Sequence, residues 1–130
     1  MSDFPNYETV IGLELHVQLS TASKAYASDS TDFGASPNTL VSPITLGHPG
    51  TLPKANIAVV ESAVQLGLAC GCTIREHNLY ARKNYFYADL PKGYQITQDT
   101  TPICTGGGVN IRLSDGSERI IRLTRIHMEE

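Results

Sequence analysis

The chain has 130 residues, ten Lys or Arg against thirteen Asp or Glu, and a formal net charge of −3; this balance excludes nucleic-acid binding through bulk positive charge. Hydrophobic residues make up 41% and charged residues 18%, which suits one soluble domain with its own core. Three cysteines (Cys70, Cys72, Cys104) are an odd number with no two-pair zinc spacing, so they read as reduced thiols.

The opening MSDFPNYE has no basic or apolar leader region, and a cytoplasmic location is expected. In Val10–Leu19, Ile11, Leu13, Leu15, Val17 and Leu19 alternate with Gly12, Glu14, His16 and Gln18. This period of two predicts a half-buried strand. Its polar face carries Glu14 and His16 roughly 6.5–7 Å apart along the strand, close enough to share one ion. A solvated outer face is the plainer reading.

Ser20–Ser36 is polar and reads as irregular. Pro37-Asn38 starts a turn, Leu40–Leu46 reads as a short extended piece, and His48-Pro49-Gly50 punctuates the chain. His48 reads as a turn residue and His77 as surface. A helix is predicted from about Asn56 to Cys70, with Ile57, Val60, Val64 and Leu68 as its stripe, widened by Val59, Ala63 and Leu66, Asn56 as N-cap and Gly71 as stop.

Thr73-Ile74 begins a strand. In Leu79–Tyr87, Lys83, Tyr85 and Tyr87 share one parity, with Arg82, Asn84 and Phe86 on the other. Ala88–Gln95 is rich in turn residues, and Tyr94–Thr97 is extended. Gly106-Gly107-Gly108 lacks the trailing Lys of a phosphate loop and reads as a hinge or turn. Asp115-Gly116 between Val109–Leu113 and Arg119–Met128 predicts a hairpin. The charged end Arg125–Glu130 carries no stop signal, so the sequence is expected to be part of something longer. The fold expected is α+β: a mixed or antiparallel sheet with the helix on one face.

Five strings stand out in order: YETVIGLELHVQL, STDFGASPNT, LGHPGTLP, RKNYFYADLPKGYQITQ and LTRIHMEE. Together they resemble the N-terminal part of the GatB family, the B subunits of aspartyl/glutamyl-tRNA amidotransferase, with its relative GatE. The resemblance runs from about Tyr7 to Glu130, and RKNYFY-x-DLPKGYQI is its most specific piece.

The resemblance implies that residues 1–130 are the first part of a β-rich catalytic cradle, without the helical tRNA-binding domains that follow it. It implies an ATP-dependent ligase in translation that phosphorylates the side-chain carboxylate of Glu-tRNA(Gln) and/or Asp-tRNA(Asn). Glutamine-derived ammonia then displaces the phosphate. The implied partners are misacylated tRNA and, in a heterotrimer, the amidase (A) and small (C) subunits, with no membrane. The alternative is a catalytically incomplete module that binds metal, nucleotide or another subunit.

The implied cofactors are ATP and Mg2+. Glu14, His16 and an acidic residue of the HMEE string match the metal cluster, with Glu130 and Glu129 competing for the last position; parity does not decide if a bulge intervenes. Lys83 matches a cation near the ATP phosphates. Tyr85, Tyr87, Lys92 and Tyr94 match positions around the site, where they would place the acyl-tRNA end or line an ammonia exit. One-sided core packing is the plainer reading of Tyr85 and Tyr87, and a solvated turn that of Lys92. Many members carry a zinc site where this chain has Ala27, Asp29, Ser42 and Thr45; with no thiolates there, no zinc is expected.

Overall fold

A computed structural model describes residues 6–88 and 90–130. Among these residues the chain forms one helix, α1 (Ile57–Ala69), and seven short strands: β1 (Thr73–Ile74), β2 (Ala81–Asn84), β3 (Tyr94–Thr97), β4 (Cys104–Thr105), β5 (Gly108–Arg112), β6 (Glu118–Arg122) and β7 (Arg125–Ile126). The architecture is α+β, and every pairing among these strands is antiparallel. In place of one covered sheet there are three small ones, ordered β1-β4-β7, β2-β3 and β5-β6. No helix among the described residues is long and apolar enough to cross a membrane.

The helix starts at the cap its sequence predicts. Asn56 Oδ1 accepts from the Ala58 amide at 3.0 Å, satisfying one of the orphan donors of the first turn. Its Nδ2 donates to the Ser23 carbonyl at 3.0 Å, tying the helix start to the polar loop. The buried face keeps the middle of the predicted stripe and leaves out its edges. Val59 and Gly67 are buried, and Val60, Ala63 and Val64 pack on the core, while Ile57 and Leu68 point outward. Glu61, Ser62 and Gln65 share the opposite side of the helix. A Cβ at Gly67 would lie 2.5 Å from Cys104 Sγ, so only glycine lets the helix approach β4 this closely.

The core is built from Tyr26, Val59, Ile96, Ile103, Cys104 and Met128. The rings of Tyr26 and Tyr80 meet edge to face at 4.8 Å. All three cysteines are free. Burial pushes the Cys72 and Cys104 thiols up, which disfavours the thiolate.

Several predicted elements are corrected. Val10–Leu19 forms no strand, and Ile11, Leu13 and Leu15 are all more than three-quarters exposed. A strand needs a hydrogen-bonding neighbour, and none of the described strands pairs with this segment. Leu40–Leu46 folds into turns ending at Gly47, closed by bonds such as the 2.9 Å one from the Leu46 amide to the Ser42 carbonyl. Of the Leu79–Tyr87 stretch, only Ala81–Asn84 is strand. The predicted hairpin is present as β5–β6, but its second arm breaks at Leu123-Thr124, and β7 leaves to pair with β4.

Candidate functional site

Two of the sequence strings meet in space. The antiparallel β2–β3 ladder sets Lys83 opposite Gln95 and Asn84 opposite Tyr94. The end of the chain docks on β3: the Glu130 amide donates to the Ile96 carbonyl at 3.0 Å, and Glu130 Oε2 accepts from the Ile96 amide at 3.0 Å. This clasp carries the acidic pair of the HMEE string onto the lysines of the RKNYFY–DLPKGYQI stretch. Lys83 Nζ lies 3.1 Å from Glu129 Oε1, and Lys92 Nζ is paired with Glu130 Oε1. Only the first is a surface pair; the Lys92 side chain is 6% exposed.

Aromatic rings line the lysines. Tyr94 lies 5.2 Å from Lys92 Nζ and 5.3 Å from the Arg82 guanidinium, within cation–π range. Lys83 Nζ sits 5.8 Å from the Tyr85 ring, which leans on Tyr87 with centroids 4.3 Å apart. Tyr85 and Tyr87 are exposed, so one-sided core packing is not what places them. Lys92 is held inward and is not the solvated turn residue of the plainer reading.

A cleft opens beside Lys92 and Glu130, with Tyr26, Thr45, Arg82 and Tyr94 among its walls. The Pro43–Gly47 turn forms one side. Gly47 has φ +68°, and a Cβ there would lie 2.9 Å from Lys92 Cβ and 3.1 Å from the Tyr94 hydroxyl. Both the left-handed backbone and the close approach therefore require glycine. That wall is fastened by Asp29, whose carboxylate accepts from the Ser42 hydroxyl at 2.9 Å and from the Thr45 hydroxyl. Burial acts to raise the Asp29 pKa, but the hydrogen bonds from Thr45 and Ser42 and the charge of Lys24 outweigh it and hold the carboxyl below its usual value. Ala27, the fourth of these positions, is buried.

The structure thus brings together Lys83, Lys92, Tyr94, Glu129 and Glu130. It does not bring Glu14 and His16 into a ligand group with them. Both are exposed on the segment that joins no sheet, and among the described residues no three His, Cys, Asp or Glu side chains are grouped to hold a metal ion. Glu129 and Glu130 each face a different lysine, so a magnesium here would take one carboxylate, keep its waters and arrive with phosphate. His127 Nε2 stands 4.0 Å from Glu129 Oε2, so alternation does hold here, with Glu129 on the side of His127.

Sequence reasoning passes over Arg82, Tyr26 and Gln98. Arg82 has the opposite parity to Lys83 and reaches the site by stacking on Tyr94. Tyr26 sits in a polar run with few apolar anchors, and no local signal marks it as core.

Residues 9–130 match the family model described as GatB/GatE catalytic domain. The chain is 58% identical over 125 residues to the aspartyl/glutamyl-tRNA(Asn/Gln) amidotransferase B subunit of Anaeromyxobacter sp. (strain Fw109-5), covering 96% of this chain and 26% of that relative. It is 54% identical over 124 residues to the protein of the same name from Bdellovibrio bacteriovorus, covering 95% of this chain and 26% of the relative. For that of Chlorobaculum tepidum the identity is 56% over 125 residues, with 96% and 26% covered. The chain therefore spans about a quarter of the length of the curated relatives it matches.

Proposed function

The chain belongs to the GatB/GatE catalytic-domain family, and from that premise we propose that it serves the kinase step of an ATP-dependent tRNA amidotransferase. In this reading the substrate is the side-chain carboxylate of Glu-tRNA(Gln) and/or Asp-tRNA(Asn). A carboxylate oxygen bonds to the γ-phosphorus of ATP as the bond to the ADP oxygen breaks. Ammonia nitrogen then bonds to the acyl carbon, and inorganic phosphate departs. The amidase and small subunits would release and deliver the ammonia, placing the work in translation in the cytoplasm.

The observation that carries the reading is the convergence of Lys83 and Lys92 with Glu129 and Glu130 beside Tyr94. A carboxylate approaching a triphosphate is an anion meeting an anion, so fixed positive charge at the transferring group lowers the barrier. Lys83, half exposed, would take phosphate oxygens. Lys92, held against Tyr94 and Glu130, would balance charge from below. Glu130, with Glu129 competing for the position, would hold Mg2+, which when bound neutralises phosphate charge. Glu14 and His16 are proposed as further ligands of that ion. Tyr85 and Tyr87 would steer the acyl-tRNA end.

The test is amidation of Glu-tRNA(Gln) by the assembled enzyme containing this chain. Lys83→Ala is expected to lower the rate about 100-fold or more, while basal glutaminase activity of the amidase partner is kept. Parent-rate amidation by Lys83→Ala and by Glu129→Ala would overturn the assignment. A second reading, a module that binds cation and nucleotide without turnover, is favoured by the exposure of Glu14 and His16. It predicts binding of magnesium with an ATP analogue in calorimetry, but no amidation.

A further inference from the structure

The most buried polar side chain lies just behind the acidic pair. Gln98 is 1% exposed and follows β3 directly. Its Oε1 accepts twice, from the Ile103 amide at 3.1 Å and from the Met128 amide at 3.2 Å, and its Nε2 donates to Asn78 Oδ1 at 2.8 Å. Three stretches distant in sequence are thus joined through one amide. A buried Gln satisfied in this way is costly to disturb, because removing it leaves backbone donors without partners in a dry interior.

The bond to Met128 has a consequence for the site. The Met128 amide is pinned to Gln98, and the Glu130 amide is pinned to Ile96, two residues before Gln98. With amides 128 and 130 both fixed, Glu129 must face the other way, toward Lys83, while Glu130 stays beside Lys92. A single slip of register would exchange the two carboxylates. The backbone ladder of β3 ends at Thr97, and past that point the Gln98 side chain supplies the acceptor.

We propose that Gln98 is a positioning residue that sets which carboxylate meets which lysine, and so fixes the cation and nucleotide site. This rests on the reading that one of the two, Glu129 or Glu130, serves the cation. The Ile103 bond alone would close the 98–103 loop and be structural; the Met128 bond is what reaches the site.

The test uses three variants of the protein. Gln98→Met keeps length and packing but removes the acceptor. Gln98→Glu keeps an acceptor for both amides. Asn56→Ala loosens the helix cap, whose side-chain bonds go to Ser23, Lys24 and Ala58 and to neither acidic residue, and serves as a control for lost stability. Amide exchange at Met128, carboxyl 13C shifts of Glu129 and Glu130, and affinity for Mg2+ with a non-hydrolysable ATP analogue are measured in each.

Gln98→Met is expected to speed Met128 exchange, move both carboxyl shifts and weaken binding about tenfold, the size typical of losing an outer partner of a metal site. Gln98→Glu should recover most of that affinity, and Asn56→Ala should keep it. If Gln98→Met binds as the parent does, or weakens binding no more than Asn56→Ala does for the same drop in urea midpoint, the proposal is overturned. Should the parent bind no Mg2+–nucleotide at all, the functional reading fails. Gln98 is then judged on the carboxyl shifts alone, and shifts unmoved in Gln98→Met would refute its role.

Discussion

A tyrosine hydroxyl buried without a partner loses its bonds to water and gains none in return. Tyr26 is 3% exposed, and its hydroxyl has no hydrogen-bond partner among the described residues. Burial pushes its phenol far above the ordinary value, and Tyr80, Glu130 and Glu129 add to the effect, so it stays a neutral donor. Removing that oxygen while keeping the ring should therefore stabilise the protein. Tyr26→Phe is expected to raise unfolding free energy by about 1 kcal/mol, read as a higher urea midpoint. A lower midpoint would mean that the hydroxyl is satisfied in solution. The family strings give no hint of this, since Tyr26 falls between two of them. Lys92 is the opposite case: the DLPKGYQI string marks it, and only the fold shows that it is held inward.

At the scale of elements, α1 makes the sharpest contrast between local preference and packing. Alanine is normally about 1 kcal/mol better than glycine inside a helix. At Gly67, however, a Cβ would lie 2.5 Å from Cys104 Sγ and 2.8 Å from Ile74 Cδ1, inside any tolerable contact. Gly67→Ala is expected to destabilise by about 1–3 kcal/mol, as overpacking does, seen as a lower thermal midpoint. A stabilised variant would show that α1 can slide away from β4. The element's existence and both its ends are legible, because Asn56 and Gly71 act within a few residues. Its buried face is legible in the middle, opposite Glu61, Ser62 and Gln65, but not at the edges, where Ile57 and Leu68 are apolar and exposed.

Across the whole molecule, the apolar alternation and the actual core lie in different places. Leu15 is 84% exposed, whereas Ile103 is 2% exposed, although the first sits in the most regular pattern in the sequence and the second in an irregular bend. Leu15→Ser is expected to change stability by no more than about 0.5 kcal/mol. Ile103→Ala should cost about 2–5 kcal/mol. Paired urea titrations check both, and a large loss at Leu15 would show that the Val10–Leu19 segment is covered in solution.

Residue order was enough for the helix ends, the Asp115-Gly116 hairpin, the family and the set of charged and aromatic residues worth following. Caps, turns and alternation are short-range effects, written within a few residues of where they act. That Glu129 meets Lys83 and Glu130 meets Lys92, pairs separated by 46 and 38 positions, came from the folded chain alone. Parity names two faces of a strand; only a neighbour pinned by hydrogen bonds says which face looks inward.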